Sequence, residues 1–250
     1  MTPQGKYLFE FIITKHKKGY FLECEKKIID ELFIKLNSYK FRSKVEILNL
    51  SNEFVVAVLS REKFLTLENS KDVLGYTTKF REDPIYLDPR HKDLGARLIT
   101  NLEKLHLSLK LLELKSSNLD EYYSVSNKLG IPQINTDKLQ NNLFGIECNL
   151  NELNGIDFKK GCYVGQENTA RIKLKDKLSK RLFPVEVIEG DLSKDNIIHH
   201  ENTELGKVLI NDKFPFAIVK FKDKNFKFEK IFKCGGASVK IKKPYWFKFD

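Results

Sequence analysis

The run Lys159-Lys160-Gly161-Cys162-Tyr163-Val164-Gly165-Gln166-Glu167 puts one thiol between two glycines, behind two lysines and ahead of a Gln-Glu pair. A thiolate, not a thiol, attacks electrophiles and binds soft metals, and both neighbouring cations and a helix N-terminus favour the anion. Lys159 and Lys160 offer the cations. The following residues Gly165 to Arg171 have the makings of a helix, with Glu167 and Arg171 spaced i,i+4 in the favourable order. The flanking glycines permit a sharp turn and close approach of a ligand or partner to the backbone. The competing reading is a buried strand entry in which Cys162 is a small apolar filler, since free cysteine is among the most buried residue types. No histidine lies close enough in sequence to serve the sulfur as a base, so a protease-like pair has no local support.

The other cysteines, Cys24, Cys148 and Cys234, are far apart and form no C-x-x-C pair, which argues against a zinc ribbon or a disulfide framework. His199 and His200 are adjacent. On a strand they point to opposite faces, so they make a poor start for a metal site and read as surface residues. No permanently bound metal is expected.

These groups need a scaffold, and the 250-residue chain is long enough to bury a core as one large domain or two smaller ones. Hydrophobic residues make up 41% and charged residues 31%, the balance of a folded chain. There is no apolar run of the ~20 residues that a membrane span requires, and MTPQGKYLFEF lacks the basic start and apolar stretch of a secretory signal. A cytoplasmic location without membrane attachment is the expectation. The net charge of +10 suggests polyanions, but only seven of the 44 basic residues are arginine, the better fork for phosphate and base edges. Lysine is spread along the whole chain, so direct nucleic-acid binding is not expected.

Tyr7 to Ile13 reads as a strand, Lys17-Lys18-Gly19 as a turn and Tyr20 to Cys24 as the hairpin partner. Ile28, Ile29, Leu32, Phe33 and Leu36 make an apolar helical stripe within Glu25 to Asn37. Val45 to Leu48 and Phe54 to Leu59 offer further strands, an α+β pattern. Asn118 followed by Glu121 resembles a capping box, and Gly130 with Pro132 supplies a stop, which predicts a helix from Leu119 to Leu129. Its opening Tyr122 and Tyr123 could wall a flat ligand's pocket or simply pack as core. After Arg181 the texture changes: LFPVEVI, LGKVLI, FAIVKF, KFEKIF and ASVKIK predict five short strands of a small antiparallel barrel or sandwich. The junction falls in the polar run Lys175 to Lys180.

The run GIDFKKGCYVGQENTARIK resembles the signature of the YgfZ family of folate-binding proteins, whose members assist iron-sulfur cluster assembly or repair and, in bacteria, affect cluster-dependent tRNA modification. TPQGK at Thr2 to Lys6, RSKVEI at Arg42 to Ile47, IYLDPRHKDLGARL at Ile85 to Leu98, LGIPQI at Leu129 to Ile134 and KLSKRLFPVEV at Lys177 to Val187 resemble the same family. The resemblance implies an α+β, T-protein-like folate-binding body with ferredoxin-like antiparallel sheets and helices over 1–177, and a small C-terminal antiparallel β-barrel over 178–250. It implies that Cys162 is a functional thiol, with Lys160, Gly161, Tyr163, Gly165, Gln166, Glu167 and Arg171 as its motif. It further implies a reduced folate, tetrahydrofolate or a derivative, contacted by Tyr122, or Tyr123 as alternate, and by Glu147. The expected partners are folate and the iron-sulfur assembly machinery or its client proteins.

Two departures accompany the resemblance. The family opens with a segment like FLQGQVTNDV ahead of TPQGK, which part of the folate pocket uses, and this sequence starts at TPQGK. Aminomethyl-transferring T-proteins resemble GGILDDLIV where this chain has GKYLFEFII, and they carry arginines absent from YYSVSNKLGIP. The sequence therefore favours an accessory protein over a folate-dependent aminomethyltransferase, with a tRNA-binding module as the remaining alternative.

Overall fold

The computed structural model describes residues 1–175, 178–192 and 196–248. The chain forms two compact units, one of residues 9–119 and one of residues 1–8 with 120–250.

In the unit of residues 9–119, β1 (Ile12–His16) and β2 (Gly19–Glu23) form an antiparallel hairpin in which His16 faces Gly19. The turn at Lys17-Lys18 is where the sequence puts it, but the first strand starts five residues later than expected. Lys6, ahead of it, instead makes an isolated bridge with Phe144. The predicted helix appears as a short 3-10 turn, Lys26–Ile28, running into α1 (Ile29–Tyr39). Of its apolar stripe only Ile28 and Leu32 are fully buried. Val45 to Leu48 is not a strand: both end residues are exposed, and no ladder partner among the described residues holds them extended.

The same unit contains β3 (Val55–Leu59), α2 (Arg61–Leu65), β4 (Thr77–Phe80), β5 (Asp83–Leu87), β6 (Ala96–Thr100) and α3 (Leu102–Leu111). Its four strands make an antiparallel sheet in the order β3-β6-β5-β4. Side chains alternate across a strand. Ile85, Leu87, Ala96 and Leu98 therefore bury one face with Phe64 of α2, while Tyr86 and Arg97 project to the other. There Arg97 donates to Glu23 and Asp88, Arg90 donates to Asp88 and Glu10, and the Tyr86 hydroxyl donates to Glu23. Burial opposes the Asp88 charge, but Arg90 and Arg97 outweigh it and hold the carboxyl below its ordinary range.

In the second unit α4 (Leu119–Lys128) closes within a residue of its expected end, and α5 (Gln166–Leu174) precedes the barrel. Six strands close that barrel: β7 (Arg181–Glu189), β8 (Ile197–His200), β9 (Thr203–Ile210), β10 (Phe216–Val219), β11 (Ile231–Cys234) and β12 (Ala237–Ile241), in the order β10-β7-β12-β11-β8-β9. The five anticipated strands are present, although the KFEKIF run contributes only from Ile231. The strand missing from that count is β8, which carries both histidines, so His199 and His200 are half-buried ladder residues rather than surface ones. Closure satisfies every strand edge. Phe183, Phe221, Phe226, Phe232 and Phe247 fill the interior.

The barrel is not a body apart. Leu182 and Phe216 pack with Tyr7, Leu139, Leu143 and Cys148 in one apolar cluster, and the Asn149 side-chain amide donates to Leu182 O at 2.8 Å. Arg181 is held by Asn149 and Glu152. The division into 1–177 and 178–250 thus separates segments that share a core. Asp176 and Lys177, in the run where the junction was expected, lie outside the described residues.

Candidate functional site

Cys162 is exposed, whereas Cys148 and Cys234 are buried and Cys24 is half-buried. The filler reading of Cys162 fails for that reason. Burial, followed by the charges of Glu23 and Glu25, pushes the Cys24 thiol up to about 11, so it stays protonated at neutral pH.

The sulfur sits between two small closed turns. Upstream, Asp157 Oδ1 accepts the backbone N–H groups of Lys159 at 2.7 Å and Lys160 at 3.3 Å, an Asx-type turn. Downstream, Tyr163 N–H donates to Gln166 Oε1 at 3.3 Å, and Gln166 N–H donates back to Tyr163 O at 3.1 Å. Gln166 thus has a defined task, which is to hold the residue after the cysteine. Lys160 Nζ lies 4.8 Å from the centre of the Tyr163 ring, a cation–π contact that shields one side of that ring. Tyr163 Oη is buried without a partner among the described residues, and burial followed by the Asp157 charge pushes its phenol up.

The two glycines of the motif differ. Gly161 has open space where a Cβ would stand, so neither backbone nor packing demands glycine there. Gly165 is buried at φ +83°, and a Cβ would lie 2.5 Å from Thr2 O and 2.9 Å from Gly5 Cα. The TPQGK and KKGCYVGQE runs, distant in sequence, therefore meet at Gly5 and Gly165. α5 starts at this point as expected, with Thr169 Oγ donating to Gly165 O at 2.9 Å. Glu167 is exposed in its first turn, where a negative charge suits the helix N-terminus. The anticipated pairing of Arg171 with Glu167 is replaced by a 2.7 Å bond from Arg171 to Asn168 Oδ1.

Two clefts flank α5, of about 440 and 240 Å³. The larger is lined by Gln4, Phe144, Asn168, Arg171 and Ile172, the smaller by Phe144, Glu147, Ile172, Leu178, Ser179 and Lys180. Neither is lined by Tyr122, Tyr123 or Cys162. Glu147 accepts Phe144 N–H at 2.8 Å, and burial raises its carboxyl against the opposing pull of that bond, Lys180 and Lys6. Tyr122 and Tyr123 lie with ring centres 5.9 Å apart, and Tyr123 meets Phe214 at 6.2 Å. The packing role open to this pair is thus occupied. Of the expected folate contacts, Glu147 lines the smaller of these two clefts, and Tyr122 and Tyr123 pack with Phe214 instead.

Sequence reasoning missed Gly5, Asn168 and Thr169 as parts of the site, although the TPQGK run itself stood out. The signal available was a second glycine-bearing turn. Glu10, the acidic residue of the stretch that replaces GGILDDLIV, is committed to Arg90 at 3.1 Å. Among the described residues no group of three or more His, Cys, Asp or Glu is placed to hold a metal ion, and no helix is long and apolar enough to cross a membrane.

The architecture is that of the glycine-cleavage aminomethyltransferases. The structure of the T enzyme from Bartonella henselae superposes with a TM-score of 0.72 over 99% of this chain and 74% of that one, at 11% identity, which defines the fold alone. In sequence, the chain is similar to the iron-sulfur cluster assembly factor IBA57, mitochondrial, of Mus musculus, at 31% identity over 79% of this chain and 54% of that protein. The human protein of the same name is 30% identical over 76% of this chain and 52% of its own length. The Dictyostelium discoideum homolog is 29% identical over 72% and 44%. The chain thus spans about half the length of the curated relatives it matches. No protein-family model matches it. All three relatives are named as mitochondrial, which overturns the cytoplasmic expectation. That expectation weighed a membrane span and a secretory start, neither of which a mitochondrial protein need carry.

Proposed function

We propose that this protein is an iron-sulfur cluster assembly factor acting where its relatives act, in mitochondria, with Cys162 as its working thiol. The observation that carries the reading is the exposure of Cys162 on a loop closed on both sides, while the other three cysteines are buried or half-buried. A thiolate is the natural ligand of iron-sulfur clusters, yet such clusters take about four protein ligands. One cysteine with no companion cluster of ligands among the described residues implies that the cluster is cargo, completed by a partner protein. The partners proposed are therefore the assembly machinery or its client proteins.

Binding of tetrahydrofolate or a derivative is retained as a proposal for binding only, with Glu147 and its cleft as the place of contact. No step of the assembly role runs through it. The aminomethyltransferase alternative has the fold in its favour and the Glu10–Arg90 ion pair against it, because an acid already neutralised is poorly placed to manage charge on a transferred nitrogen. The direct test is depletion of the protein in its own cells, followed by assay of cluster-dependent enzymes and of matched enzymes without clusters. Selective loss of the former, restored by re-expression, is expected. Unchanged cluster-dependent activities under complete depletion would remove the proposal.

A further inference from the structure

We infer that the opening turn Thr2–Lys6 is a positioning element for the Cys162 loop, with Gly5 as the residue that sets it. The inference rests on the reading of Cys162 as the working thiol and adds to it a second segment on which that thiol depends.

The contact is backbone against backbone. Gly5 and Gly165 both occupy left-handed conformations, at φ +81° and +83°, and each fills the space the other's Cβ would need. A Cβ on Gly5 would stand 3.0 Å from Thr169 Oγ and 3.2 Å from Gly165 O. Neither neighbour is the far end of a flexible side chain: the carbonyl is main chain, and the hydroxyl is fixed by its own bond to Gly165 O. A methyl group here must therefore displace Thr169 and Gly165, the first turn of α5, by a few tenths of an ångström, in addition to straining the backbone at φ +81°.

The turn itself has little room to give. Thr2 N–H donates to Lys6 O and Gly5 N–H to Thr2 O, both at 2.9 Å, and Gly145 N–H donates to Gly5 O at 3.1 Å from the other side. Asn168 adds a side-chain tether to Gln4 O at 3.2 Å. Between Gly165 and the cysteine lie only Tyr163 and Val164, and the reciprocal Tyr163–Gln166 bonds make that span a closed unit. A shift at Gly165 is thus passed on to the sulfur rather than absorbed.

The experiment follows Cys162 itself. Full-length wild type, Gly5→Ala, Asn168→Ala and Gly130→Ala are treated with iodoacetamide at fixed pH, and the alkylation rate at Cys162 is read by peptide mass spectrometry. Urea unfolding gives the stability of each. Gly130→Ala is the stability control: Gly130 lies at φ +71° against Pro244, away from the loop. Gly5→Ala is expected to change the Cys162 rate by about threefold or more, Asn168→Ala to change it in the same direction, and Gly130→Ala to lower stability without changing it. If Gly5→Ala fails to fold, Asn168→Ala carries the test. Folded variants that lose stability but alkylate at the wild-type rate would overturn the inference, since the turn would then be packing alone. Altered alkylation together with cluster-dependent enzymes that do not need Cys162 would leave the positioning intact and refute the proposed function instead.

Discussion

Gly165→Ala tests whether the loop is built as described, because its cost can be worked from the geometry. A non-glycine residue in the left-handed region costs about 1–2 kcal/mol. The new Cβ would also come within 2.5 Å of Thr2 O and 3.0 Å of Gly5 N, both main-chain atoms of a turn held on two sides. Overpacking of that kind adds about 1–3 kcal/mol. The sum, about 2–5 kcal/mol, amounts to a thirtyfold or greater fall in the folded-to-unfolded ratio and, for a chain of this size, to a fall in Tm of roughly 4–20 °C. The assay is urea unfolding followed by the emission of the single tryptophan. Trp246 belongs to the same compact unit as Gly165 and is fixed by a 2.7 Å bond from its indole N–H to Leu129 O. Gly161→Ala, at a position with open space, should stay within about 0.5 kcal/mol of wild type. Equal stability of the two variants would refute the account of how this loop is held.

The remaining predictions concern the thiols and the buried charges. Iodoacetamide near neutral pH should label Cys162 well before Cys24, whose thiol is pushed up to about 11 by burial; prior labelling of Cys24, read by peptide mass spectrometry, would contradict its placement. Arg97→Met leaves Glu23 and Asp88 short of a cation, and should destabilise the unit of residues 9–119 by about 3–5 kcal/mol in thermal unfolding. Asp88 is depressed in the folded protein, so its stabilising share is present above the ordinary carboxylate pKa and is lost as pH falls through the lower folded value. Acid titration by circular dichroism should show that loss in the wild type and a flatter acid limb in Asp88→Asn.

What could be read from the sequence had local causes. The Lys17-Lys18 turn, α4 with its tyrosines, and the helix after Gly165 are each specified by a few neighbouring residues, and all are present. The barrel strands show as short apolar runs, but β8 was lost among polar neighbours: the strand reads Ile197-Ile198-His199-His200, and its ladder partners in β9 and β11, not its own pattern, make it a strand. Val45 to Leu48 is the converse, a β-prone stretch that pairs with no edge among the described residues. The motif around Cys162 was legible residue by residue, but the pairing of Gly5 with Gly165 was not. It joins positions 160 residues apart, and no local pattern reports such a contact. Glu147 and the tyrosine pair show the same limit, since a resemblance names residues without saying that Glu147 lines a cleft beside α5 while Tyr123 packs on Phe214.

The central claim is that the sulfur at position 162 works in cluster assembly. Cells depleted of the native protein and re-expressing either Cys162→Ser or Cys24→Ser at equal abundance test it most directly, through the activity of cluster-dependent enzymes. The Cys24 variant is expected to restore activity and the Cys162 variant is not. Full restoration by Cys162→Ser would contradict the claim.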